Sequence, residues 1–235
     1  MSDSYQNPYV VVANSPEAER SQFIRRVYMH LALAIMVFTG IEAALLHSPL
    51  AAPLTGLLTT GKYGWLIVLG VFMGVSWIAS SWAQSNTSKG MQYLGLGLYV
   101  VAEAIIFVPL LYIAERCAKG PVISQAAMLT IGLFLGLTAI VMLTKVDFSF
   151  LRGVLMIGGF LAIGFIIASI IFGFNFSLLF ATLMVGFAGA SILYNTSAIF
   201  RQYGADQYVA ASLSLFASVA LLFWYILQIF IMRRD

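Results

Sequence analysis

Charged side chains are scarce in this sequence of 235 residues. Lys, Arg, Asp and Glu together make up 9% of it, whereas soluble chains carry about 25%. Hydrophobic residues make up 61%, and the mean hydropathy is +0.96. This composition excludes an ordinary soluble domain, because too few charges are present to cover a water-facing surface. It predicts a protein whose solvent is the lipid bilayer.

Cysteine and histidine are also nearly absent. The single cysteine, Cys117, excludes an internal disulfide, and the two histidines exclude a His-rich metal site. The formal net charge is only +3, which indicates membrane topology rather than a nucleic-acid partner. We therefore expect no bound nucleic acid and no required cofactor.

Seven apolar stretches predict the fold class, an all-α integral membrane protein built as a seven-transmembrane-helix bundle. Each stretch is long enough to cross the roughly 30 Å of hydrocarbon in a bilayer. The predicted spans are Val27–Leu46, Tyr63–Trp82, Met91–Ile113, Val122–Leu143, Gly153–Phe172, Ser177–Phe200 and Tyr208–Met232. Gly173 and Asn175 predict a tight turn that separates the fifth span from the sixth.

Polar residues flank the spans and divide the chain into three parts. These are a cytoplasmic N-terminal tail and lead-in helix over residues 1–26, a seven-helix transmembrane domain over residues 27–232, and a C-terminal tail over residues 233–235. Ser15, Pro16 and Glu17 predict the start of the lead-in helix, with the Ser15 hydroxyl as its cap. We expect the residues before about Arg20 to be dispensable for folding, because they contain little apolar area to bury.

The distribution of Lys and Arg over the loops predicts the orientation in the membrane. With the N-terminus in the cytoplasm, the cytoplasmic set is Arg20, Arg25, Arg26, Lys89, Lys145, Arg152 and Arg201. The opposite set is Lys62, Arg116, Lys119, Arg233 and Arg234. The larger set and the three arginines before the first span favour a cytoplasmic N-terminus and an external C-terminus.

Small residues spaced four apart predict where helices approach closely. The pairs are Gly70 with Gly74, Gly132 with Gly136, and Gly186 with Ala190. Because lipid removes the hydrophobic drive for helix association, small residues that let backbones approach are common at such contacts.

Three ionisable side chains lie within the predicted spans. Each is a candidate functional group, because a charge in hydrocarbon is costly. Glu103 lies deepest, in the third span, where it could form a proton-sensitive gate or donate a hydrogen bond to a carbonyl that Pro109 leaves free. His30 and Glu42 lie nearer the ends of the first span, from which they could snorkel to the interface.

The spans carry no set of residues for intramembrane catalysis. The four aspartates, Asp3, Asp147, Asp206 and Asp235, lie in predicted tails or loops, which excludes an aspartyl pair within the spans. No predicted span carries the two histidines that a zinc protease needs. We therefore expect a protein that is not an enzyme.

Three segments carry a resemblance to a known family. They are residues 147–155 (DFSFLRGVL), residues 192–199 (ILYNTSAI) and residues 211–216 (ASLSLF). In this order and spacing they resemble the Bax inhibitor-1 family, in particular its bacterial YccA-like branch. The resemblance extends over about residues 20–232.

The resemblance implies a seven-helix bundle whose last helix is surrounded by the other six. It also implies a proton-sensitive Ca²⁺ leak, attributed to one carboxylate in the sixth span and one in the seventh. Two acids at hydrogen-bond distance share a proton because both cannot ionise cheaply in a low dielectric. The matching positions here are Asn195 and Ser218, neither of which ionises. They favour a neutral interhelical hydrogen bond instead.

For the bacterial branch, the resemblance implies binding and restraint of a membrane-anchored AAA protease. We expect a non-enzymatic regulator or partner of membrane-protein complexes, such as that protease, in the bacterial inner membrane. The alternative is a calcium or cation leak, weakened by Asn195 and Ser218, with Glu103 as the remaining deep acid. A third alternative is a small structural subunit of a larger membrane complex.

The seven-span topology predicts that the two ends of the chain lie on opposite sides of the membrane. Single cysteines at Ser4 and at Arg234, each placed on a Cys117→Ser background, should react with an impermeant thiol reagent from opposite sides. Labelling from the same side would contradict the odd number of spans.

Overall fold

A computed structural model describes residues 11–59, 64–85, 88–116, 120–173 and 177–233. Within these ranges the chain forms eight α-helices and one 3-10 turn, Val12–Asn14. The helices are α1 (Glu17–Leu46), α2 (Ala51–Thr59), α3 (Gly64–Ala83), α4 (Lys89–Arg116), α5 (Val122–Thr144), α6 (Leu151–Phe172), α7 (Ser177–Arg201) and α8 (Tyr208–Met232). All except α2 are long and apolar enough to cross a membrane. The predicted fold class is confirmed.

The predicted spans agree with the helices to within a few residues, apart from the lead-in that extends α1. The break between the fifth and sixth spans is present, because α6 ends at Phe172 and Gly173 adopts a φ of 74°. Glycine reaches this left-handed conformation without steric cost, so it ends helices readily. Tyr63, Asn175, residues 1–10 and residues 234–235 lie outside the described residues.

Helix α2 was not predicted. Its nine residues are too few to cross the bilayer, which needs about 20, and it packs against α3 and α4. Its first residue, Ala51, is fully buried. Hydropathy over the length of a membrane span does not predict such a helix, because its apolar stretch is only about half as long as a span.

Helix α8 lies at the centre of the bundle. It packs against α1, α3, α4, α5 and α7, and its side chains Leu215, Phe216, Leu222 and Leu227 are almost completely buried. Helix α6 packs mainly against α7 and buries no residue. The resemblance implied that six helices surround the last one. In the structure, five helices pack around α8, and α6 lies at the periphery.

Aromatic rings fill the space between α1, α4 and α8. The ring centroid of Phe107 lies 5.2 Å from that of Phe38 and 4.8 Å from that of Trp224, in edge-to-face arrangements. Phe38 also meets Phe216 edge-on at 5.9 Å. In lipid the helices gain little from hydrophobic burial, so close packing of this kind carries much of their association.

The predicted role of the small-residue pairs is wrong. A Cβ atom added at Gly70, Gly74, Gly132, Gly136 or Gly186 would meet nothing within 4 Å, so no helix approaches closely there. The close approach occurs at Gly95, where an added Cβ would lie 2.5 Å from the Ala79 carbonyl oxygen and 2.6 Å from the Ala83 nitrogen. Sequence spacing shows that small residues share a helix face, but not which face meets a neighbour.

The predicted Ser15 cap is also wrong. Helix α1 begins at Glu17, Pro16 occupies the cap position, and no side chain caps the helix. The backbone N–H of Ser15 instead donates to the Val12 carbonyl at 3.1 Å, closing the 3-10 turn.

The N-terminal residues contribute to the core, against the expectation that they bury little. The Val12 side chain is 1% exposed and belongs to the same buried cluster as Phe23, Val27 and Val209. The segment that precedes α1 is therefore anchored to the bundle at Val12, whereas Ala13 and Asn14 are exposed.

Substitution of Gly95 tests the close contact between α3 and α4. We expect Gly95→Ala to lower the free energy of unfolding by about 1–3 kcal/mol, because the new methyl meets backbone atoms that cannot rotate away. Detergent-denaturation midpoints in mixed micelles measure this change. Gly97→Ala is the matched control, since an added Cβ there meets nothing within 4 Å. Equal stability of the two variants would contradict the contact.

Candidate functional site between α7 and α8

Asn195 and Ser218 meet at the interface between α7 and α8. The Asn195 side-chain amide donates to the Ser218 hydroxyl at 2.8 Å and to the Ser214 carbonyl at 3.2 Å. The structure thus brings together the two positions that the resemblance singled out. They form the neutral interhelical hydrogen bond that their side chains favour.

Ser191 completes this cluster and was not predicted. Its hydroxyl lies 2.8 Å from that of Ser218 and accepts from the Asn195 amide at 3.3 Å. The Ser218 hydroxyl also lies 3.0 Å from the Ser214 carbonyl, and either hydroxyl of the Ser191–Ser218 pair can be the donor. Ser191 precedes Asn195 by four residues, so helical spacing was the signal that could have identified it.

The polar contacts continue along α8 toward the turn that follows α7. The Ser214 hydroxyl lies 3.1 Å from both the Ala210 carbonyl and the Tyr203 hydroxyl. The Ser212 hydroxyl lies 2.6 Å from the Tyr208 carbonyl of its own helix and 2.9 Å from the Val27 carbonyl of α1. These groups satisfy one another inside the bundle, as hydrocarbon requires of polar side chains.

Glu103 lies deep in α4, as predicted, and is 6% exposed. The Tyr99 hydroxyl lies beside its carboxyl, while its Oε2 atom has no hydrogen-bond partner among the described residues. Helix α4 continues without a break through Pro109. Proline has no N–H, so the carbonyl of Ile105 lacks its usual helical donor.

Glu42 does not snorkel, contrary to the expectation for it. Its side chain is 4% exposed, and neither carboxylate oxygen has a hydrogen-bond partner among the described residues. It lies one helical turn beyond Phe38, whose ring faces Phe107 in the core. The position of Glu42 near the end of the span suggested that its carboxyl could reach the interface. It does not, because this face of α1 points into the core.

His30 links three helices at one end of the bundle. Its Nδ1 donates to the Arg26 carbonyl at 2.7 Å, so in the neutral ring Nε2 accepts from the Tyr93 hydroxyl at 3.1 Å. The Tyr208 hydroxyl lies 3.3 Å from that of Tyr93. Lys89 pairs with Asp206 at 3.0 Å beside this group.

Two of the family-like segments contact each other. Asp147 Oδ1 accepts from the Ser149 hydroxyl at 2.6 Å and from its backbone N–H at 3.0 Å, which holds the pKa of Asp147 below its ordinary value. Arg201 lies 3.9 Å from the same oxygen and adds to this effect. Ser197 of α7 accepts from the Phe148 N–H at 3.1 Å. The loop between α5 and α6 is thereby fastened to the end of α7.

The ionisable groups of the spans do not converge. Within the part of the chain that the structure describes, Glu42, Glu103 and His30 make no hydrogen bond with one another, and no cluster of three His, Cys, Asp or Glu side chains could hold a metal ion. What does converge is neutral: one amide and several hydroxyls. The arrangement can fasten helices together and offers no nucleophile with a base.

A seven-span bundle with a neutral polar contact between its last two helices defines a multi-pass membrane protein. The family described as "Inhibitor of apoptosis-promoting Bax1" matches residues 20–235. The chain therefore belongs to the Bax inhibitor-1 family.

Curated relatives occur in bacteria, plants and fungi. The chain is 31% identical to the Pseudomonas aeruginosa protein PA2604, with 93% of this chain and 92% of that protein covered. It is 27% identical to Bax inhibitor 1 of Schizosaccharomyces pombe, with 95% and 81% covered. It is 26% identical to Protein LIFEGUARD 4 of Arabidopsis thaliana, with 94% and 89% covered.

Removal of the Asn195 amide tests the contact between α7 and α8. We expect Asn195→Ala to lower the free energy of unfolding by about 1 kcal/mol, the usual size of such hydrogen bonds in membranes. Thr182→Ala is the control on the same helix, because that hydroxyl donates only to the Leu178 carbonyl one turn back, at 2.8 Å. Denaturation of both variants in the same micelles measures the difference, and identical midpoints would contradict the contact.

Proposed function

We propose that this protein is a non-enzymatic regulator or partner of membrane-protein complexes. We propose a membrane AAA protease as the class of partner, and the bacterial inner membrane, with the N-terminus cytoplasmic, as the location. The 31% identity with a bacterial protein supports a place in the bacterial branch of the family.

The neutral contact between Asn195 and Ser218 is the observation that carries the proposal. An amide and a hydroxyl keep the same charge over the physiological pH range, so this contact holds α7 and α8 together without a titrating switch. A partner role depends on surfaces and packing, and it places no demand on intramembrane acids.

Charges at one end of the bundle support the orientation. The contacts of Lys89 with Asp206 and of Arg201 with Asp147 lie at the same end of the helices as the start of α1. Arg20, Arg25 and Arg26 precede or open the first apolar stretch at that end. An excess of Lys and Arg favours the cytoplasmic side.

Crosslinking in native membranes tests the partner role. We expect a tagged copy of the chain to recover subunits of a membrane AAA protease, identified by mass spectrometry. The control is an unrelated seven-span protein that carries the same tag at the same expression level. Recovery of this chain only as a free monomer would contradict the proposal.

A cation leak is the second candidate, favoured by the deeply buried carboxyl of Glu103, whose Oε2 atom has no hydrogen-bond partner among the described residues. Purified protein in liposomes should pass little Ca²⁺, and Glu103→Gln should reduce whatever flux is present. Asn195→Asp combined with Ser218→Asp should raise the flux and give it a pH midpoint, because two adjacent acids share a proton. Each single change should have less effect.

One result of the flux experiment would separate a leak that depends on Glu103 from a leak through other groups. Strong wild-type flux that Glu103→Gln does not change would contradict the role of this acid and favour a leak through other groups. Glu19→Gln is the control for loss of a carboxyl, because Glu19 is exposed before the first apolar stretch.

A further inference from the structure

Two cationic side chains meet at one aromatic ring, at the end of the bundle where α1 starts. The guanidinium carbon of Arg26 lies 5.4 Å from the centroid of the Tyr208 ring, and the Lys89 ammonium lies 4.8 Å from it. The His30 ring contacts the same ring, with 5.1 Å between the two centroids. A tyrosine ring attracts cations within about 6 Å of its centroid, so Tyr208 keeps the two positive charges close together.

This cluster carries more positive than negative charge. Asp206 Oδ1 lies 3.0 Å from the Lys89 nitrogen, whereas Arg26 forms no ion pair in the described part of the chain. One carboxylate therefore faces two cations. A planar guanidinium binds a phosphate through two parallel hydrogen bonds, and an ammonium adds a compact charge beside it. The charge and the donors of the cluster thus fit a phosphate group.

The cluster lies at the level where the hydrocarbon ends. Arg26 directly precedes the apolar stretch that begins at Val27. Lys89 is the first residue of α4, and Tyr208 is the first residue of α8. The ends of three membrane-spanning helices therefore meet at the level of the lipid headgroups. Tyrosines are enriched at this level, and basic side chains between helix ends bind acidic headgroups there.

An exposed apolar groove leads from the cluster into the hydrocarbon. On α1, Leu33 follows His30 by three residues and is exposed. On α4, Gly97 and Val101 follow Tyr93 by four and eight residues and are also exposed, and a Cβ atom added at Gly97 would meet nothing within 4 Å. Residues at these spacings share a helix face. Because His30 is hydrogen-bonded to Tyr93 and α1 packs against α4, the two faces lie side by side.

We propose that Arg26, Lys89 and Tyr208 form a binding site for the phosphate of an acidic phospholipid, one acyl chain of which lies in the groove between α1 and α4. A headgroup with one net negative charge, such as that of phosphatidylglycerol, matches the charge that two cations and one carboxylate leave. A zwitterionic headgroup matches it less well, because its own ammonium is repelled by the same cations.

Native mass spectrometry of the purified chain measures the lipid preference. We expect the first phosphatidylglycerol to bind several-fold more tightly than phosphatidylcholine, and Arg26→Gln to remove most of this preference. The bond from His30 is retained in this variant, because it goes to the backbone carbonyl of residue 26. Arg25→Gln is the matched control, since it removes the same charge from a neighbour that points about 100° away around the helix. Equal losses in the two variants, or no preference in the wild type, would overturn the site.

A second variant tests the groove without changing a charge. Gly97→Leu places a side chain in the open path between α1 and α4, so the affinity for phosphatidylglycerol should fall several-fold. Gly132→Leu is the control, because it adds the same side chain at another open glycine, on α5. Circular dichroism of each variant verifies that its helices are intact. An unchanged affinity in Gly97→Leu would overturn the position of the acyl chain.

Soluble glycerol phosphate separates a lipid site from a site for free phosphate compounds. It carries the phosphate but no acyl chain for the groove, so it should not displace bound phosphatidylglycerol at comparable concentration. Displacement would assign the cluster to a soluble phosphate compound and overturn the lipid. These measurements involve neither a protease nor an ion flux, so their outcome is independent of the proposed function.

Discussion

The hydrogen bond from Asn195 to Ser218 is the contact on which the arrangement of the last two helices depends. Lipid tails are as apolar as leucine, so hydrophobic burial gives little reason for one helix to face another. A polar group inside hydrocarbon determines which helix faces which, because its hydrogen-bond partner must lie within the protein. Asn195 fixes the face of α7 that meets α8, and the Ser212 hydroxyl of α8 lies within hydrogen-bond distance of the Val27 carbonyl of α1. The central position of α8 then lets the remaining helices pack around it.

The two buried acids follow a different logic from this contact. Glu42 and Glu103 lie on α1 and α4, and neither forms an ion pair among the described residues. The Glu103 carboxyl has the Tyr99 hydroxyl beside it, whereas neither oxygen of Glu42 has a hydrogen-bond partner there. A titrating gate needs acids close enough to share a proton, which separate helices without a bridging contact do not provide. Among the described residues, the polar interior thus includes a hydrogen-bonded neutral cluster on α7 and α8 and two carboxyls that lie outside this cluster. The neutral cluster positions α7 against α8, because its hydrogen bonds run between these two helices.

The sequence predicted what depends on length and composition, and missed what depends on the direction of a helix face. Hydropathy located the seven spans because crossing the bilayer demands a minimum apolar length. The resemblance led to Asn195 and Ser218, since helix positions are retained within a fold. The glycine pairs failed because spacing does not show which face is covered, and Gly95, without a small partner four residues away, makes the closest approach. The expectations that Glu42 reaches the interface and that the N-terminal residues bury little were wrong for the same reason. The burial of Glu42 and Val12 depends on neighbours that are distant in sequence.

The family-like segments contact one another at the end of the bundle where α1 starts. Residues 147–149 and Ser197 are far apart in sequence, yet they bond to each other where α7 ends. The turn that follows α7 receives Val12 on one side and, through Asp206, holds Lys89 on the other. Specific side chains and backbone groups hold these loops against the ends of helices. An ordered surface is formed there from short connections that could not fold alone. This end of the bundle therefore offers a partner an ordered surface of defined shape.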